Sequence, residues 1–162
     1  MRSFHIRLLH PALWLALVAG LMLSAGCHTA TQSPLFTASG PGWRVQEGQA
    51  LWRPARRYPE LGGELVMASH KDGRCAIQFT KIPLPLVLAQ TTCTNWLIAF
   101  PARRMSFGGR RAPPTRFAWL YLYAALSGDS LPSTLHFQRT PDGGWRLENT
   151  RSGETVEGFL AP

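Results

Sequence analysis

Short segments in which apolar and polar residues alternate dominate this sequence from residue 48 onward, and turn residues separate them. Residues 48–54, 63–70 and 74–81 alternate in this way, and Asp72-Gly73 supplies a turn between the last two. Residues 92–100 are a further strand candidate, and hairpin-like segments follow at residues 134–139, 145–149 and 155–159. Because a period of two buries one face of an antiparallel sheet, the sequence predicts a single β-rich domain over residues 43–162.

One segment is predicted to be helical, and it is apolar around nearly its whole circumference. Residues 114–128 have no proline or glycine in their interior, Thr115 can cap the start, and Gly128 can end the helix. A helix that is apolar on all sides must be enclosed by protein, membrane or ligand. The predicted fold class is therefore α+β: a curled antiparallel β-sheet (half-barrel) with an apolar helix packed on its concave face.

Two segments between these elements are predicted to be irregular. Residues 82–88 form an apolar run in which Pro83 and Pro85 prevent regular strand pairing at the start. Residues 101–114 are basic and contain glycine, which predicts a loop with a short strand near Met105.

The first residues have the composition of an export signal. Arg2 and Arg7 precede an uncharged apolar stretch at residues 11–23, which is too short for a comfortable membrane span. Small residues then lead to Cys27. These features predict a cleaved signal peptide at residues 1–26, followed by a flexible tether through residue 42 that is rich in Thr, Ser, Gly and Pro.

The sequence Leu23-Ser24-Ala25-Gly26-Cys27 resembles the lipobox of bacterial lipoproteins. The resemblance implies that Cys27 is lipidated and becomes the first residue of a mature chain anchored in a membrane by its acyl chains. His28, rather than aspartate, follows the cysteine, which by the same resemblance implies the periplasmic face of the outer membrane, with the inner membrane as the alternative. An ordinary secretory signal with an incidental Cys27 is the other interpretation.

The chain is strongly basic, with a formal net charge of +8. Five arginines crowd into one segment that contains glycine and proline, and we call them the basic patch: Arg103, Arg104, Arg110, Arg111 and Arg116. An exported, membrane-anchored protein rarely meets nucleic acid. Anionic lipid headgroups are therefore the expected partner, at about 1 kcal/mol per basic residue near the surface. A solvated loop is the alternative.

Cys75 and Cys93 are the only cysteines after Cys27. An even pair in an exported domain predicts a disulfide. In the chain-entropy model, a disulfide that closes a loop of this size stabilises the fold by about 3 kcal/mol. Two buried free thiols are the alternative.

No set of residues in the sequence points to catalysis. His28, His70 and His136 are scattered, and no serine lies in the context of a nucleophile elbow. Glu154 and Glu157 could form a carboxylate pair, but glutamates on a terminal strand are expected at the surface. The sequence therefore predicts no enzymatic activity, no metal site and no cofactor.

Three motifs together resemble the lipoprotein-localisation (LolA/LolB-like) superfamily. They are the element Lys81-Ile82-Pro83-Leu84-Pro85-Leu86, an aromatic helix ending Leu126-Ser127-Gly128, and a closing hairpin of Trp145-Arg146-Leu147-Glu148-Asn149 with Ser152-Gly153-Glu154. The resemblance implies a half-open antiparallel barrel whose apolar interior accepts the acyl chains of other lipoproteins.

The expected function is thus a membrane-anchored module that binds lipids or acylated lipoproteins in an apolar cavity, with a role in sorting lipoproteins at the outer membrane. Nine residues are expected to line the cavity, with a static core as the alternative for each: Phe79, Ile82, Leu84, Leu86, Trp96, Trp119, Leu120, Tyr123 and Leu126. The alternative function is a structural or assembly lipoprotein that binds another envelope protein through its basic surface loop.

Overall fold

A nine-stranded antiparallel sheet is the main element of the computed structural model, which describes residues 33–161. The predicted signal peptide and Cys27 lie outside the described residues. The strands are β1 (Trp43–Arg53), β2 (Leu61–His70), β3 (Cys75–Lys81), β4 (Leu84–Thr91), β5 (Asn95–Phe100), β6 (Met105–Arg110), β7 (Leu135–Arg139), β8 (Trp145–Asn149) and β9 (Thr155–Leu160). Their order in the sheet is β6-β5-β4-β3-β2-β1-β9-β8-β7, so β6 and β7 are its edges and it does not close into a barrel.

One short α-helix, α1 (Leu122–Ser127), packs on one face of the curled sheet after a 3-10 turn (Ala118–Tyr121). We call this the inner face, where Leu65, Phe79 and Val87 are completely buried on three neighbouring strands. The opposite, outer face leaves Leu51 and Phe159 about half exposed, at 42% and 49%. A mostly antiparallel sheet with one embedded helix confirms the predicted α+β fold class.

The α-helix is shorter than the sequence predicts for residues 114–128. Phe117 has φ −117° and ψ 87°, and the residues after it form a 3-10 turn, so α1 begins only at Leu122. Thr115 does not cap the helix; its carbonyl instead accepts a hydrogen bond of 2.6 Å from the Asn149 side chain. Gly128 ends α1 in the left-handed conformation, as the sequence predicts.

Within the apolar run at residues 82–88, only the part around Pro83 and Pro85 is irregular. A turn with a cis Ile82–Pro83 peptide bond leads into β4, which includes Pro85 opposite Thr80. The ladder between β3 and β4 shifts register at Phe79/Thr80, because proline has no N–H to donate to it. Regular pairing resumes from Val87, which is completely buried.

The described part of the predicted tether, residues 33–42, makes specific contacts with the domain. The Leu35 N–H donates to Gln90 Oε1 at 2.7 Å, and Gln90 Nε2 donates to the Phe36 carbonyl at 2.9 Å. The Phe36 ring stacks on Trp43 with 5.4 Å between ring centroids. Residues 33–42 are therefore not a free coil, in contrast to the flexible tether that the sequence predicts for them.

The sheet, the helix and the core all lie within residues 33–161. A fragment that begins at His28 consequently contains every element of the described fold.

Gly158 of β9 is needed because the neighbouring strand leaves no room for a side chain. A Cβ there would lie 2.1 Å from the Gln49 carbonyl oxygen, whereas a Cβ at Gly62 would meet only the flexible Leu51 side chain at 3.3 Å. We expect Gly158→Ala to lower the free energy of unfolding by about 2 kcal/mol. Gly62→Ala should change it by about 0.5 kcal/mol or less. Urea denaturation of both variants tests this, and equal losses would contradict the close approach.

Candidate functional site

Aromatic side chains fill the space between the inner face and the helical segment. Phe79 and Trp119 are completely buried, with their ring centroids 5.1 Å apart. Trp52 packs edge-on against Trp119 at 6.0 Å and stacks on Phe100 at the same distance. Rings at these separations are in direct contact, so the region beside Trp119 is core and not an empty acyl-chain cavity.

The nine residues expected to line an interior cavity fall into three groups. Four are buried in the core: Phe79, Trp96, Trp119 and Leu120. Three are partly buried against that core: Leu86, Tyr123 and Leu126. Ile82 and Leu84 are instead exposed, at 69% and 58%, near the turn between β3 and β4. The structure therefore does not bring the nine together around one space, and seven of them have the static-core role.

The described chain has a groove of about 810 Å³ on the outer face, which we call the outer groove. It runs across five neighbouring strands, from the end of β3 over β2, β1 and β9 to the start of β8. At about 4.8 Å between strands, this path is roughly 19 Å long. The turn that contains Ile82 bounds one end, and the turn before β8, with Thr140 and Asp142, bounds the other.

Leu51, Ile82 and Phe159 are the exposed apolar side chains that line the outer groove. Leu51 faces Glu157 and Phe159 faces Gln49 in the β1–β9 ladder, so Leu51 and Phe159 are diagonal neighbours on one face. Diagonal neighbours are about 7 to 8 Å apart, which lets both side chains contact one ligand. The alternation along residues 48–54 does not show which residue lies beside Leu51; only the pairing of β1 with β9 reveals Phe159 as its neighbour.

Charges of both signs surround these apolar side chains. Arg146 donates to Glu157 at 2.6 Å, and its other nitrogen lies 3.4 Å from Glu148. Lys81 and Glu64 also line the outer groove, at the end near Ile82. Two basic and three acidic side chains line the groove. Its net formal charge is therefore only −1, and the apolar surface decides which ligands the groove can hold.

Glu154 is the one ionisable carboxylate that the structure buries, at 4% exposed, against the expectation of a surface residue. Its Oε1 accepts from Trp52 Nε1 at 3.0 Å, and its Oε2 accepts from the Ala118 backbone N–H at 2.9 Å. Burial raises the pKa of this carboxyl to about 7, although both hydrogen bonds act in the opposite direction. Glu154 thereby joins β1 to the start of the 3-10 turn.

The predicted disulfide is not formed, and Cys75 and Cys93 are both free. Cys75 points into the core from β3, where burial raises the pKa of its thiol to about 12. Cys93 is exposed in the turn between β4 and β5 and lies 3.4 Å from the Asp72 carbonyl. The two side chains therefore occupy different environments, one in the core and one at the surface.

All five arginines of the basic patch are exposed. Arg103 and Arg104 precede β6, Arg110 is its last residue, and Arg111 follows it. The Arg116 guanidinium lies 5.3 Å from the centre of the Phe107 ring, which belongs to β6. The structure thus places the whole basic patch along one edge strand of the sheet.

Within residues 33–161, no helix has the length and hydrophobicity to cross a bilayer. The same residues contain no group of three or more histidine, cysteine, aspartate or glutamate side chains placed to hold a metal ion.

No protein-family model matches the chain, and no curated protein matches it either. The resemblance to the lipoprotein-localisation superfamily therefore stays a prediction.

Glu154 should make the stability of the fold depend on pH. Its pKa of about 7 in the folded state exceeds the ordinary value of 4.5, so the folded chain holds a proton that the unfolded chain releases. Its contribution is full below pH 4.5 and is lost as the pH rises through 7. Between about pH 5 and 8, we expect the free energy of unfolding to fall by roughly 2 to 3 kcal/mol more in the parent than in Glu154→Gln.

Urea denaturation at several pH values measures this difference. Trp52→Phe is a second variant, because it removes the donor to Oε1 and should move the transition to higher pH. An unchanged pH dependence in Glu154→Gln would rule out this carboxyl as the source.

Proposed function

We propose that this protein is a membrane-anchored module that binds an acyl-type apolar chain in the outer groove. The observation that supports this most strongly is the groove itself, whose volume of about 810 Å³ lies within the range of 300 to 1,000 Å³ typical of ligand sites. Its position differs from the interior cavity that the sequence suggests, because aromatic rings occupy the inner face.

The length of the outer groove suits one acyl chain. A chain in a bilayer leaflet spans about half of the hydrocarbon core, or roughly 15 Å, and the groove crosses five strands over roughly 19 Å. Leu51, Ile82 and Phe159 would lose solvent contact on binding. Leu51 and Phe159 are already about half buried, so complete burial of each contributes about half of the 1.5 to 3 kcal/mol that a fully exposed side chain gives. The apolar surface of the acyl chain itself supplies the rest of the binding free energy.

Attachment through Cys27 at the periplasmic face of the outer membrane belongs to the same proposal. It is supported by the signal-like residues 1–26 and the lipobox-like sequence before the cysteine. A groove in a domain held close to a membrane meets acylated lipids and lipoproteins at high local concentration, which favours them as ligands.

A second function, contact with another envelope protein, is supported by the basic patch. Arg103, Arg104, Arg110 and Arg111 lie at the two ends of an edge strand, and none forms an ion pair with a described residue. This function uses a different part of the sheet from the outer groove, so the two can be tested separately.

Binding of a fluorescent fatty acid to the fragment that begins at His28 tests the acyl-chain proposal. Leu51→Gln and Phe159→Gln should each weaken binding about tenfold, since each removes apolar contact equivalent to about 1.4 kcal/mol. Val45→Gln is the matched control, because Val45 lies on the outer face of β1 at 55% exposed but outside the groove. Absence of saturable binding, or an equal loss in the control, would contradict the proposal.

A further inference from the structure

The outer edge of β6 is available for pairing with another strand. β6 pairs with β5 from Asn95↔Arg110 to Phe100↔Met105, and no strand lies on its other side. In the described part of the chain, no further backbone hydrogen bond involves residues 105–110. Such an edge presents a row of N–H and C=O groups that an extended chain can pair with.

The basic patch extends along this edge from end to end. Two arginines stand before β6 and two at its end, and the six residues of the strand span about 20 Å. Elsewhere in the described chain, Arg53, Arg74 and Arg146 have carboxylate partners within 4 Å. The arginines beside β6 have none, so their charge is free to attract an anionic ligand.

The residues between the arginine pairs favour close approach of another backbone. The strand contains Ser106, Gly108 and Gly109 and no proline or lysine, which are the residues that commonly block pairing at an edge. Gly109 must stay small, because a Cβ there would lie 2.9 Å from the Trp96 ring. The opposite edge strand, β7, differs, since Arg139 at its end donates to the Leu126 carbonyl at 2.9 Å.

We propose that β6 binds an extended acidic segment of another protein by strand addition. The backbone of the segment continues the ladder beyond β6, and carboxylates near its two ends pair with the arginines at the two ends of the strand. This inference identifies the kind of partner for the second proposed function and does not depend on the outer groove.

The same observations disfavour two other occupants. A second copy of this chain would place its own arginines opposite the basic patch, and like charges directly across a ladder are destabilising. Anionic lipid headgroups match the charge but cannot continue a ladder of backbone hydrogen bonds along Met105–Arg110. A protein segment satisfies both requirements at once.

A synthetic peptide tests the proposal with the fragment that begins at His28. The peptide carries a pair of glutamates at each end of a Val/Thr-rich centre as long as β6, and one control replaces the glutamates with lysines. A second control keeps the glutamates but carries N-methyl groups along the centre, which removes its backbone donors. We expect only the first peptide to bind and to slow amide hydrogen exchange in Met105–Arg110.

Three variants and a binding assay with anionic phospholipid vesicles distinguish the possible outcomes. Arg103→Gln and Arg111→Gln should each weaken binding of the glutamate peptide about threefold and leave fatty-acid binding unchanged. Leu51→Gln should weaken fatty-acid binding and leave peptide binding unchanged. Equal binding of the N-methylated peptide, failure of the glutamate peptide to bind, or binding of anionic phospholipid vesicles alone would each overturn strand addition. None of these results bears on the outer groove, which the fatty acid tests.

Discussion

The buried carboxylate of Glu154 is the interaction on which the arrangement of sheet and helix depends. It accepts hydrogen bonds from Trp52 on β1 and from the backbone of Ala118 at the start of the 3-10 turn. It thereby satisfies two buried donors that would otherwise lack partners, each at a cost of about 1 to 3 kcal/mol. With the turn held at this point, Trp119 lies between Trp52 and Phe79, and the aromatic core closes over the inner face.

The filled inner face determines where a ligand can bind. A sheet with a helix on one side can hold an apolar ligand between the two layers only if the layers separate, and here contacts between aromatic rings hold them together. The outer groove needs no such separation, because Leu51, Ile82 and Phe159 are already exposed. Our account therefore places acyl-chain binding on the side of the sheet opposite the helix, and protein contacts at the β6 edge.

Local signals in the sequence were sufficient for most of the sheet. The segments predicted at residues 145–149 and 155–159 match β8 and β9 to within one residue, because turn residues such as Asp142-Gly143 mark their ends. The end of α1 is also predicted from the sequence, because Gly128 readily adopts the positive φ at which the helix stops. Strand alternation and turn chemistry act over a few residues, so they can be read from the sequence.

The features that could not be predicted depend on residues that are distant in sequence. Glu154 looked like a surface residue because its partners Trp52 and Ala118 are 102 and 36 positions away. The tether looked free because its contact is with Gln90, 55 positions from Leu35. The outer groove arises from pairing of β1 with β9, which no local pattern specifies. Such contacts are settled by the topology of the sheet.

The most direct test of the central claim is to locate a bound acyl chain. A fatty acid with a photoreactive group in its chain can be irradiated with the fragment that begins at His28, and the linked residues identified by mass spectrometry. Our account predicts links to the outer groove, at Leu51, Ile82 and Phe159. Links concentrated at Trp119 and Leu126 would show that the helix opens and that acyl chains enter the inner face, which would contradict it.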